Sequence, residues 1–202
     1  MNLLAIVGSP RKGRATDTLV DKAIEGARSK DPDCDVKKIH LMDCNIEYCR
    51  NCLACRDAIM DEPYTECVIR DDMDIICKDL VKADSLIMAT PVHMGYATAV
   101  MTAFLARIVW TFSRPEGRFL HITGLPTVSR SRKKRKAIII VPSGIIPPLY
   151  RRFCDWATPM IRATIKDALN AKTVGDLYAG DIEHRGVEHY LGKAYRLGRK
   201  LA

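Results

Sequence analysis

The 202-residue sequence has no apolar run approaching the ~18–20 residues that a membrane-spanning helix needs. Its apolar start, Met1 to Val7, is too short for a secretory signal and stops at Gly8-Ser9-Pro10 without a cleavage-like site, so the expected location is the cytoplasm. No internal repeat and no sign of a second domain are present, and the length suits one domain over residues 1–202. Aromatic residues make up only 6%, and none falls within the one basic run, which weakens a single-stranded nucleic-acid reading. Neither G-x-x-x-x-G-K-[ST] nor G-x-G-x-x-G occurs after the first strand, which argues against a nucleotide hydrolase and a Rossmann dehydrogenase. Apolar residues at 48% and charged residues at 28% exclude a disordered chain, a collagen-like fibre and a coiled coil.

Cysteine and positive charge are what the sequence has in excess, with eight thiols and a net charge of +8. A reducing cytoplasm does not normally hold four structural disulfides, so the thiols read as buried side chains or ligands. Apolar periodicity predicts strands at residues 3–7, 35–41, 85–90, 137–141 and 173–179. Helices are expected at 16–29, after Asp71 or Asp72, at 98–110, 149–170 and 184–200, while residues 113–136 show no period. Continuous apolar strands joined by helical crossovers mean a parallel sheet covered on both faces.

In such a sheet, ligands bind beyond the carboxyl ends of the strands. The first loop, Gly8 to Thr18, offers tight turns at Gly8 and Gly13, hydroxyls at Ser9, Thr16 and Thr18, and the fork of Arg11. The next helix adds its free N–H groups and positive dipole end, so the loop suits a phosphate monoester. The plainer alternative is a strand–helix turn with an ordinary cap.

Cys44, Cys49, Cys52, Cys55 and Cys67 lie within 24 residues, and the middle three form C-x2-C-x2-C. That step lets consecutive thiolates converge on one centre and favours a [4Fe–4S] cluster over tetrahedral zinc, which more often takes two separated pairs. Cys67 is the natural fourth ligand, with eleven residues between it and Cys55, and Cys44 is the reserve. Arg50, Asn51 and Arg56 are poor core residues, which argues against thiols that merely fill space. Cys34, Cys77 and Cys154 are isolated and read as structural.

GSPRKGRATDT after strand one, CRNCLAC followed by CVIRDDM, and ATPVHMG after a later strand together resemble the iron–sulfur flavoproteins, within the NADPH-dependent FMN reductase group. The resemblance rests on motifs over residues 1–110 and on element order beyond. It implies a flavodoxin-like doubly wound five-stranded parallel sheet, order 2-1-3-4-5, with a cysteine-rich loop at 44–67 after strand two and a basic insertion at 113–136. It implies FMN with its phosphate on Ser9, Arg11, Thr16, Asp17 and Thr18. Pro91, Val92, His93, Met94 and Gly95 would lie along the isoalloxazine, and Ser143 and Gly144 would close the third side. It further implies a [4Fe–4S] cluster near the flavin on Cys49, Cys52, Cys55 and Cys67, a homodimer or homotetramer, and electron exchange with a ferredoxin-like carrier or NAD(P)H. The sequence departs from the family at Ala15, where an Asn is usual, at His93, where an aromatic is usual, and in the long gap before Cys67.

His93 could protonate a reduced flavin, since imidazole suits proton transfer near neutral pH, or it could be a hydrogen-bonded loop residue. Arg130 to Lys136 holds six positive charges in seven residues. A solvated linker is the favoured reading of this run, ahead of a site for the 2′-phosphate of NADPH, an acidic protein carrier or nucleic acid. The primary expectation is an FMN-dependent iron–sulfur electron-transfer flavoprotein. The alternatives are an NAD(P)H-dependent FMN or quinone reductase without a functional cluster, and a nucleic-acid-associated redox sensor.

Overall fold

A computed structural model describes residues 1–58, 63–116, 118–119, 121–123 and 127–202 of the chain. Strand β1 (Asn2–Val7) leads through α1 (Ala15–Arg28) to β2 (Asp35–His40) and a 3-10 turn at Leu41–Asp43. The cysteine-rich segment follows and contains one short helix, α2 (Ala54–Asp57). Then come α3 (Met73–Lys82), β3 (Ser85–Ala89) and α4 (Ala99–Phe112). Strands β4 (Ser113–Pro115), β5 (Arg118–Phe119), β6 (Ile122–Thr123) and β7 (Thr127–Ser129) precede β8 (Arg135–Pro142). The chain continues through α5 (Arg151–Cys154), α6 (Ala157–Leu169), β9 (Ala171–Ala179), α7 (Ile182–Arg185) and α8 (Glu188–Gly198).

The main sheet has five parallel strands in the order β2-β1-β3-β8-β9, which is 2-1-3-4-5 when only its own strands are counted. Pleating sends alternate side chains to opposite faces. Leu4, Ile6, Leu86, Met88, Ile139 and Val141 meet α3, α4 and α6 on one face. Leu3, Ala5, Val7, Ile87, Ile138 and Ile140 meet α1 and α8 on the other. Helices α1 and α8 touch through glycine: a Cβ at Gly26 would run into the Tyr195 carbonyl, and one at Gly198 into that of Ala23.

Residues 113–136 are not wholly irregular. β4 pairs with β7 and β5 with β6, both antiparallel, and β8 already begins at Arg135. Parts of this insertion and of the 44–67 loop lie outside the described residues. The expected helix at 149–170 is interrupted. It becomes α5 and α6, because the Trp156 N–H donates to Gly95 O at 2.8 Å and Asp155 takes the Thr158 N–H at 2.9 Å. The last helix also divides, at Gly186, whose φ of +74° suits glycine and ends α7.

Candidate functional site

Strands β1, β3 and β8 are neighbours in register, with Val7 opposite Ala89 and Ala89 opposite Ile140, so their three following loops leave the sheet at one level. The ladder extends into those loops: the Gly8 N–H donates to Ala89 O, Thr90 N–H to Ile140 O, and Val92 N–H to Pro142 O. All three sequence-predicted loops therefore meet on one edge, the ligand edge of a doubly wound sheet.

In the first loop a Cβ on Gly8 would lie 2.8 Å from Met101 Cβ and 3.2 Å from Thr98 Oγ1, so only glycine passes beneath α4. Thr98 caps α4 and its hydroxyl donates to Gly8 O at 2.6 Å, tying the first loop to the second. Ser9 is buried, and its Oγ donates to Arg11 O and accepts the Arg11 N–H. Gly13 turns at φ +64°. Helix α1 opens without a side-chain cap bond, which leaves the N–H groups of its first turn directed at the loop. Arg11 is exposed and has no carboxylate partner among the described residues, while Thr16 is buried and Thr18 half-buried.

Asp17 stands in this group by sequence, but its carboxylate faces the protein. Oδ2 accepts the Gly13 N–H at 2.5 Å, and Oδ1 lies 3.2 Å from Lys38 Nζ and 3.5 Å from His40 Nε2. A carboxylate repels an anion, so the Asp17 side chain braces the loop from behind, and its backbone N–H is what it can offer a phosphate. Lys38 and His40 on β2 were not legible as site residues, since β2 reads only as a half-buried strand.

The second loop is a two-residue hairpin. His93 and Tyr96 exchange both backbone hydrogen bonds at 2.9 Å, and the central Met94 and Gly95 both have positive φ, +52° and +85°. That is the turn type that suits glycine at its second centre. Pro91 and Val92 are half-buried, His93 is exposed with no carboxylate partner among the described residues, and Met94 is 94% exposed. Trp156 packs on the turn, 3.1 Å from where a Gly95 Cβ would stand, and stacks with Tyr96 at 6.1 Å between centroids. Trp156, hidden inside the expected continuous helix, gave no sequence signal of this role. In the third loop Ser143 is buried and Gly144 exposed, and their carbonyls accept the N–H groups of Ile182 and Glu183.

The cysteine segment packs along α4. Its two ends are joined: Asn45 N–H donates to Asp72 Oδ2, Glu47 N–H to Asp71 Oδ2, and Asp72 N–H to Asn45 O. Asn51 and Leu53 adopt left-handed backbone, which bends the C-x2-C-x2-C run. Cys49 and Cys52 are exposed, Cys55 and Cys67 half-buried. Burial pushes the Cys55 thiol up, and after burial the groups acting on it are Cys67, Cys49 and Cys52 in that order. Among the described residues no three of these side chains stand close enough to bind an ion as they are. Cys44 is not among those neighbours: it packs on the core, with Sγ directed to His40 O. Four thiolates without carboxylate or imidazole form a soft donor set, which fits an iron–sulfur cluster. Burial pushes Cys77 up to about 12, so it remains a thiol.

The basic run is not a solvated linker throughout. Arg130 donates to the carbonyls of Cys55, Arg56 and Ala58, and so holds the end of α2 in the cysteine segment. Arg135 is 2% exposed and donates to the carbonyls of Val81, Ala83, Lys133 and Leu169. A cavity of about 600 Å³ beside it, lined by Lys134, Lys136, Lys166 and Lys172 among others, opens at the amino ends of β8 and β9, away from the three loops.

Among known proteins, an iron–sulfur flavoprotein of Methanosarcina thermophila is 35% identical over 109 residues, 54% of this chain and 53% of that protein. One from Archaeoglobus fulgidus is 32% identical over 115 residues, 57% of this chain and 49% of that protein. The chain thus spans about half the length of these curated relatives. The fold is shared with an NAD(P)H:quinone oxidoreductase from Methanothermobacter marburgensis, at a TM-score of 0.69 and 16% identity over 100% of this chain and 99% of that one. A family model described as NADPH-dependent FMN reductase matches residues 1–138, and the chain belongs to that family.

Proposed function

We propose that the chain is an FMN-dependent oxidoreductase that passes electrons between the flavin and a [4Fe–4S] cluster carried by Cys49, Cys52, Cys55 and Cys67. The observation that carries the flavin half is the meeting of three furnished loops at one sheet edge, with an uncapped helix start above the first. Ser9, Arg11, Thr16, Thr18 and the α1 N–H groups would hold the phosphate. Pro91 to Gly95 would line the ring, and Ser143 and Gly144 would close the third side. His93, exposed on this turn, would deliver a proton to the reduced flavin. The C-x2-C-x2-C spacing and the four-thiol donor set support the second half, together with the names of the relatives.

Bound FMN supplies two-electron or stepwise one-electron chemistry, and a cluster carries single electrons. The protein's part is placement and tuning of potential. The electron partners of this reading are NAD(P)H on one side and a ferredoxin-like carrier on the other, in a homo-oligomer. Protein prepared without oxygen should contain FMN, iron and acid-labile sulfide, and Cys52→Ser should lose the broad visible absorbance and the iron while keeping the flavin. Flavin without iron in the parent protein would leave an NAD(P)H-dependent FMN or quinone reductase instead.

A further inference from the structure

Arg107 lies midway along α4, 3% exposed, and its guanidinium reaches both ends of the cysteine segment. Nη1 donates to Glu47 O at 2.8 Å, two residues before Cys49. Nη2 donates to Ile69 O at 3.3 Å, two residues after Cys67. Both nitrogens also bind the Asp71 carboxylate, at 2.6 and 3.1 Å. Four contacts therefore close the base of the loop from a rigid helix. Nε is different: it is buried and makes no hydrogen bond. A buried N–H without a partner is costly and uncommon in native proteins. The Cys67 thiol is near enough to act on this guanidinium, by charge and as a weak hydrogen-bond partner, and both effects raise the Arg107 pKa.

We propose that Arg107 is the positioning residue of the cysteine centre: its fork sets the loop ends, and its Nε–H donates to the Cys67 sulfur when the thiolates are ligated, raising the cluster's reduction potential. The inference rests on the cluster reading above. A hydrogen bond to a ligand sulfur draws electron density from the cluster and favours the reduced state, one of the recognised controls on such potentials. It also selects Cys67 over Cys44 as the fourth ligand.

The variant that tests this is Arg107→Gln with Asp71→Asn, which removes one positive and one negative charge together and leaves the local net charge unchanged. A shift of potential in it reports the lost N–H···S bond rather than a lost charge. Arg107→Lys is the second variant, since it keeps the charge and lacks Nε–H. Holoprotein is titrated electrochemically, with the cluster followed by electron paramagnetic resonance, the flavin by absorbance, and iron and sulfide counted in each sample. Both variants are expected to show a more negative potential in the clusters they hold, an unchanged flavin potential, and an iron content reduced by the lost contacts to the loop ends. An unchanged cluster potential at full iron content overturns the proposal. So does lost iron with an unchanged potential in the clusters that remain, because that is the outcome of a purely structural role. Absence of iron from the parent protein refutes the cluster reading itself and is seen before any variant is made.

Discussion

Eight thiols in one small chain differ by what surrounds each of them. Cys49 and Cys52 face solvent, while Cys34 and Cys77 are buried and Cys77 is pushed up to about 12. Only thiolates react quickly with alkylating agents. Iodoacetamide at pH 8 on cluster-free protein is therefore expected to label Cys49 and Cys52 first and to spare Cys34 and Cys77, as read by peptide mass spectrometry. Asp71 gives a pH dependence. Burial pushes its carboxyl up, but Arg107 and the N–H groups of Glu47 and Met73 outweigh burial and leave it below the usual range. A carboxyl lowered in the fold contributes stability that is complete above the unfolded value of ~3.9 and is lost as pH falls through the folded one. The melting temperature of the parent protein should fall more steeply below about pH 4 than that of Asp71→Asn. The Cys spacing was legible because C-x2-C-x2-C is a regular local pattern that needs no distant partner to be seen. The roles of Asp17 and Arg107 were not, since each depends on partners from distant segments, Lys38 and His40 for one and Glu47 and Ile69 for the other.

Elements are held at their ends as well as along their faces. The carbonyls closing a helix have no intrahelical donors, and Arg135 supplies donors to two helices at once, through Val81 in the last turn of α3 with Ala83 just beyond it, and Leu169 at the end of α6. Arg135→Ala leaves these acceptors buried and unmet, and should lower stability by about 3 kcal/mol in denaturant unfolding. Lys134→Ala, one residue away and exposed, should change it by about 0.5 kcal/mol or less. Helix α4 joins both candidate centres, since its cap Thr98 binds Gly8 and its Arg107 binds the cysteine segment. Residues 149–170 misled because Leu149, Phe153, Trp156 and Met160 repeat at helical spacing. A tertiary bond from the Trp156 N–H to Gly95 breaks the helix there, and the local sign of it is Pro159, which has no N–H to continue a helix and sits in the first turn of α6. The β4–β7 and β5–β6 ribbons were equally hidden, because strands of two or three residues are too short to show alternation.

At the scale of the whole molecule the parallel sheet was legible, because strands buried on both faces must be continuously apolar, as β3 and most of β8 are, while the strand order was implied by the family resemblance alone. FMN that binds only the folded chain should stabilise it by about 2.7 kcal/mol at a hundred times its dissociation constant, or about 5–10 °C in melting temperature. Riboflavin at the same concentration lacks the phosphate and should give a smaller shift, with Ser9→Ala narrowing the difference. Equal shifts from both flavins would remove the phosphate loop from the site. The glycine contact between α1 and α8 bears on biosynthesis. Helix α1, which follows the first loop, is made early, and its clamp, beginning at Glu188, emerges only 160 residues after α1 ends at Arg28. At about 5–20 residues per second, the ribosome holds α1 unclamped for roughly 10–30 s. Nascent chains stalled before α8 should then be poor flavin binders even with every loop residue already synthesised.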